Sequence, residues 1–145
     1  MIDVTDAGGS DGLGGTDVFR FIRSVLGGGG NDTIVTTQSS AMRRLVGNDG
    51  NDSLGGSAIA SVGSTLEGGA GSDTLRGGGG NDLLLDATTG GAATESDLLS
   101  GGAGDDTLVA GGTLAGADTL YGEAGADSLV AGGGNDILDG GGEHD

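Results

Sequence analysis

The chain has no cysteine, no proline, no tryptophan and no lysine, and only one histidine. Without cysteine there is no disulfide, so an exported chain of this composition needs another staple. Without lysine a phosphate-cradling P-loop is excluded, however many glycines are present. A lone histidine, His144 at the extreme C-terminus, cannot supply the pair that an HExxH zinc site requires, and it is poorly placed for a Ser-His-Asp arrangement. The EF-hand pattern also fails, because Asn48-Asp49-Gly50-Asn51-Asp52 is not followed by the bidentate Glu. No enzyme activity is expected. Long apolar runs are missing, which excludes a transmembrane helix. Met1 to Ser10 has neither a basic region nor an apolar core, so no Sec-type signal peptide is visible. Basic charge is scarce: five arginines stand against 22 acids, a formal net charge of −17. Nucleic acid is excluded as a partner, since neutralising phosphates needs a basic face, and insertion into a membrane is not expected. Aromatics are limited to Phe19, Phe21 and Tyr121, too few for sugar stacking.

Glycine is what the chain has in abundance, 37 of 145 residues. Glycine loses more backbone freedom on folding than any other residue. The large apolar residues are too few to offset that loss easily, so the chain by itself is expected to be marginal or disordered, with something else supplying the balance.

The glycines are not scattered. They fall in a nine-residue unit, Gly-Gly-x-Gly-x-Asp-x-U-x, with U a large apolar residue. It stands almost complete at Gly68 to Arg76, is repeated at Gly77 to Leu85, and returns at Gly101 to Val109, Gly122 to Val130 and Ala131 to Asp139. Indexed by the Asp position, the series is Asp17, Asp32, Arg43, Asp52, Ser64, Asp73, Asp82, Asp97, Asp106, Asp118, Asp127, Asp136 and Asp145, mostly in steps of nine, otherwise 11, 12 or 15. Two residues after each of the first twelve comes the apolar residue: Phe19, Ile34, Leu45, Leu54, Leu66, Leu75, Leu84, Leu99, Leu108, Leu120, Leu129 and Leu138. That register survives where the Asp is lost, at Arg43 and Ser64. A fixed short period marks a solenoid.

Each unit reads as a six-residue turn and a three-residue strand such as Thr74-Leu75-Arg76, whose central side chain points inward and whose neighbours point outward. Two units close one coil, and stacked coils pair in parallel. The predicted fold is therefore all-β: a parallel β-roll, a β-solenoid of two short-stranded sheets about a thin apolar seam. The competing reading, a disordered glycine-rich linker, does not account for a leucine held in register over so many units.

On these repeats the chain resembles the RTX (repeats-in-toxin, hemolysin-type) family of calcium-binding β-rolls, found in exported bacterial toxins, proteases, lipases, adhesins, epimerases and surface-layer proteins. The resemblance covers residues 12–145, leaving 1–11 as a lead-in, with insertions near 21–26, 57–63 and 86–91. It implies a right-handed roll with calcium between stacked glycine-rich loops, each ion held by two Asp carboxylates and by backbone carbonyls. Alternate loops should stack. One column collects Asp32, Asp52, Asp73, Asp97, Asp118 and Asp136; the other collects Asp17, Arg43, Ser64, Asp82, Asp106, Asp127 and Asp145. The implied metal residues are the aspartates of the first column with Asp82, Asp106, Asp127 and Asp145, together with Gly28, Gly30, Gly50, Gly69, Gly71, Gly78, Gly80, Gly102, Gly104, Gly116, Gly125 and Gly134. The first column offers five gaps and the second three, so about five to eight Ca2+ ions are expected. About eight would bring roughly +16 against the −17 of the chain, nearly cancelling the repulsion among stacked carboxylates. Arg43 either fills a gap with a fixed positive charge or faces solvent from a decayed loop. The sites around Asp97 rank lowest, because Ala92 to Ser96 contains no glycine. Asp49, Asp86, Asp105 and Asp139 are expected to be solvated, with Asp49 near enough to a loop to touch an ion.

The chain ends at Glu143-His144-Asp145, after a loop and before a strand. An uncapped parallel edge invites pairing, which predicts either a piece of a longer roll or rolls stacked end to end, on themselves or on a neighbouring roll. Three functions stay open. The first is a calcium-binding structural module of a secreted or cell-surface bacterial protein, exported by the type I route the resemblance implies and folding on calcium outside the cell. The second is a self-assembling surface-layer, filament or adhesin component. The third is a carbohydrate-binding accessory module of a polysaccharide-modifying enzyme, acting through Arg20, Arg23, Arg43, Arg44 or Arg76.

Overall fold

In a computed structural model of the chain, residues 2–3, 23–36, 44–86, 95–111 and 116–142 are described. Among them there is no helix, and the strands are β1 (Ile2–Asp3), β2 (Ser24–Gly29), β3 (Thr33–Val35), β4 (Arg44–Asp49), β5 (Ser53–Gly55), β6 (Thr65–Ala70), β7 (Thr74–Gly79), β8 (Leu83–Asp86), β9 (Leu98–Ala103), β10 (Thr107–Ala110), β11 (Thr119–Ala124), β12 (Ser128–Val130) and β13 (Ile137–Asp139). They alternate between two sheets, one ordered β1-β2-β4-β6-β8-β10-β12 and the other β13-β11-β9-β7-β5-β3. All the paired strands run parallel. This is the two-sheet parallel solenoid that the nine-residue period predicts.

The register follows the apolar positions of the sequence. In one sheet Leu45, Leu66, Leu84, Leu108 and Leu129 are successive partners; in the other the series is Ile34, Leu54, Leu75, Leu99, Leu120 and Leu138. One large inward residue per strand makes the seam, joined on β10 by Ala110. Eight leucines, from Leu45 to Leu120, are fully buried there, with Ile34 and Leu129 packed at the margins. Fully burying such a side chain is worth roughly 1.5–3 kcal/mol. Leu138 keeps the register on β13 but is 50% exposed.

Two features depart from the sequence reading. The segment Phe21 to Leu26, read as an insertion, contains the start of β2, and Val25 is the buried partner of Leu45. The coil next to Asp32 is therefore indexed by Arg23, nine residues earlier, and not by Asp17; Asp17 and Phe19 lie outside the described residues. An arginine at the Asp position hid an intact period. The turns are also shorter than six residues. Strands such as β4, β6, β7, β9 and β11 run into the first three turn positions, of which the second and third pair with the next coil (Gly78 with Gly102, Asn48 with Gly69). Within these strands the first residue of the unit is skipped by the pairing, as at Gly47 between the paired Val46 and Asn48.

Candidate metal sites in the stacked loops

The aspartates stand immediately before the strands, six of them before the β3–β13 sheet and the rest before the other. They are joined by a repeated hydrogen bond. The main-chain N–H of Asp32 donates to Oδ1 of Asp52 (2.7 Å), Asp52 to Asp73 (2.7 Å), Asp73 to Asp97 (2.9 Å), Asp97 to Asp118 (3.0 Å) and Asp118 to Asp136 (3.0 Å). On the other side Ser64 donates to Asp82, Asp82 to Asp106 (2.7 Å) and Asp106 to Asp127 (2.8 Å). These are the two columns expected from alternation, coil upon coil. The Asp carbonyl completes the stitch by accepting from the first strand residue of the next coil, as Thr74 N–H does to Asp52 (2.8 Å). A second ladder runs the opposite way from the residue before each Asp: Oδ1 of Asn31, Asn51 and Asn81 accept from the N–H of Asn51, Ser72 and Asp105. The sequence reading missed this ladder, although the recurrence of Asn, Ser or Asp at that position signals it.

From Asp52 onward in the first column, and from Asp82 onward in the second, one oxygen of each carboxylate is thus spent on the ladder. The other is not. Oδ2 of Asp32, Asp52, Asp73, Asp82 and Asp106 is buried and finds no hydrogen-bond donor. It lies against the first glycine of its own unit. A Cβ on Gly27 would come 2.5 Å from Asp32 Oδ2 and 2.6 Å from the Gly47 carbonyl oxygen of the next coil, and Gly47, Gly77, Gly101 and Gly122 show the same crowding against carboxylate and carbonyl. The bare first glycine therefore lets a carboxylate oxygen and a neighbouring carbonyl share one space.

Among the predicted carbonyl donors, Gly30, Gly50, Gly69, Gly71, Gly78, Gly80, Gly102, Gly104, Gly125 and Gly134 take positive φ, whereas Gly28 and Gly116 do not. At Gly71 (φ 127°) the conformation is one that side chains rarely adopt, and a Cβ would also collide with the Gly50 carbonyl below. At Gly116 close approach alone is at work, against the Glu95 carbonyl. Asn48 and Glu123 hold positive φ at the equivalent of a glycine position.

Isolating an acid from water favours its protonated form. Burial raises Asp73, Asp82 and Asp106 to about 6, and Asp52 and Asp118 above the ordinary carboxyl range; main-chain N–H bonds oppose the rise and neighbouring carboxylates add to it. Asp86, expected to be solvated, is instead 4% exposed. Burial, then its hydrogen bond to Asp97 and the charges of Asp97 and Asp73, push it up to about 9. The reason is positional: Asp86 follows Leu85 at the place of a first glycine, facing the loop space. Asp49, Asp105 and Asp139 are exposed as expected. Ser64 stands in for an aspartate: it is buried, its N–H donates to Asp82 and its hydroxyl also bonds that carboxylate. Arg43, Asp145, His144 and Arg20 lie outside the described residues. Arg44 is engaged by Glu67 through two hydrogen bonds (2.9 and 2.7 Å), while Arg23 and Arg76 are exposed.

Among the described residues no three acidic or histidine side chains form a metal cluster by themselves. What the columns present is carboxylate oxygens in stacked series with backbone carbonyls beside them, and no nitrogen or sulfur donor. Such a set defines a binder of hard cations that take six to eight oxygens at adaptable geometry. The buried, donorless Oδ2 atoms fit that role, since a cation supplies the missing positive partner. The sequence pattern of the RTX calcium-binding nonapeptide repeat matches four stretches, residues 24–38, 63–85, 92–112 and 113–145, more than half of the chain. The chain belongs to the RTX calcium-binding repeat family. No curated protein and no solved structure matches it. It is a calcium-binding repeat module, and its roll is a structural fold and not a catalytic one.

Proposed function

We propose that this chain is a calcium-triggered structural module of an exported protein, loose where calcium is scarce and folded where it is plentiful. The observation that carries the reading is the series of buried Oδ2 atoms with no donor. A roll that buries so many acids without a counter-ion opposes its own folding, so cation binding contributes folding free energy directly. The ions sit between consecutive coils: five gaps from Asp32 to Asp136, and three from Asp82 through Asp106 and Asp127 to Asp145. The glycine carbonyls named above complete each shell. Affinities of about 10⁻⁴–10⁻³ M suit an extracellular module, and shared aspartates make filling cooperative. The −17 charge and the thin seam of leucines both favour an unfolded chain until ions arrive, which suits passage through a type I exporter.

Calcium titration of chelated protein, followed by far-UV circular dichroism and light scattering with magnesium as control, tests this reading. A coil-to-β transition given by calcium and not by magnesium supports it. A chain already β-structured in excess chelator at neutral pH contradicts it. Scattering that rises with the transition would move the reading from a monomeric module to an assembling one.

A further inference from the structure

The gap between Asp73 and Asp97 differs from every other gap in its column. Where the preceding coils place the bare glycines Gly27, Gly47 and Gly68 at the first position of the unit, and the following coils Ala110 and Ala131, this coil places Asp86. Its carboxyl is turned inward: Oδ1 accepts from the Gly69 N–H (3.0 Å) and, like Asp73 Oδ2, lies against the Cα of Gly68. Asp73 is 2% exposed, and its Oδ2, aimed into this same space, has no donor. Asp97 Oδ1 accepts from the Asp73 N–H on the far side, and Asp86 also hydrogen-bonds Asp97. The coil that carries Asp97 is also the one whose turn lacks glycine, from Ala92 to Ser96.

We propose that Asp86 is a side-chain metal ligand, supplying a carboxylate oxygen from the first position of its unit, so that this gap holds its cation with three carboxylates and not two. This rests on the calcium-binding reading above. Asp86 lies within hydrogen-bonding reach of both Asp73 and Asp97, and a cation would draw the three carboxylates onto itself. Charge count and rigidity set affinity in oxygen sites, so this gap fills first, and it favours a trivalent ion most.

The test uses the full chain with calcium by equilibrium dialysis and with terbium by sensitised or direct luminescence. Wild type should show one terbium bound about tenfold or more tightly than the rest. Asp86→Asn and Asp86→Gly should both lose that tight class and keep the others. The glycine variant restores the repeat consensus, so it guards against a variant that simply fails to fold. If Asp86→Gly binds the same ions as wild type, or one more, Asp86 is an occluding side chain and the proposal is overturned. A wild-type chain that binds no calcium would overturn the calcium reading itself, a different result from unchanged binding in Asp86→Gly.

Discussion

Gly27 and Gly29 sit two residues apart on β2, and neither has positive φ, so alanine suits the backbone at both. They differ only in what a methyl group would meet. At Gly27 it would stand 2.5 Å from Asp32 Oδ2 and 2.6 Å from the Gly47 carbonyl, where real contacts begin at 3.0 to 3.4 Å, so it lacks about 0.4 to 0.9 Å on two sides. One of those neighbours is main chain and cannot swing away. The other is the proposed ligand oxygen. At Gly29 nothing lies within 4 Å. Overpacking of this kind costs roughly 1–3 kcal/mol, and here it also displaces Asp32 Oδ2 from the space it shares with the carbonyl. Gly27→Ala should therefore bind about one calcium fewer than wild type and unfold at lower urea in saturating calcium. Gly29→Ala should stay within about 0.5 kcal/mol and keep the full ion count. Isothermal calorimetry and urea melts read both. A Gly27→Ala chain with wild-type stoichiometry and affinity, or a Gly29→Ala chain equally damaged, would refute the claim that the first glycine is bare to leave room for oxygens.

Leu75→Ala removes a fully buried member of the seam and should cost about 2–5 kcal/mol in calcium, read from the urea midpoint; a cost under about 1 kcal/mol would mean the seam carries little of the stability. Asp106→Asn keeps an oxygen for the Asp82 N–H but removes a buried charge, so it should lower the calcium count while making the chelated protein more, not less, structured by circular dichroism. pH acts with opposite signs in the two states. Without metal, the raised carboxyls of Asp73, Asp82 and Asp106 bind protons better in the roll than in the unfolded chain. The stabilisation this gives is complete below the unfolded value of 3.8 and is lost as pH rises through about 6, with Asp86 extending the loss towards 9. Chelated protein should therefore gain β-structure on acidification, whereas calcium binding, which needs carboxylates, should weaken below about pH 6; a chelated spectrum unchanged between about pH 4 and pH 8 would contradict this.

Much of the fold was legible because its determinants repeat. A leucine two residues after each Asp fixes strand, face and register together, and alternation of units fixes the two columns. Legibility failed where one residue broke the pattern without breaking the geometry. Arg23 took an Asp position and concealed β2. Asp86 took a first-glycine position, and an isolated acid beside an insertion reads as solvated unless the nine-count from Gly77 is carried through it. The Asn and Ser ladder was missed because its side chains are ordinary surface residues whose role exists only between coils. Ion occupancy is not legible in the same way, since it depends on carbonyl direction as much as on residue type.

The most direct measurement is a crystal structure grown in calcium with data collected at long wavelength, where calcium scatters anomalously. The account predicts anomalous peaks between consecutive coils beside Asp52, Asp73, Asp97 and Asp118 in one column and beside Asp106 in the other, each within about 2.3–2.6 Å of an Oδ2 atom. A folded roll with no peak in these gaps, its carboxyls paired with each other or with water, would contradict it.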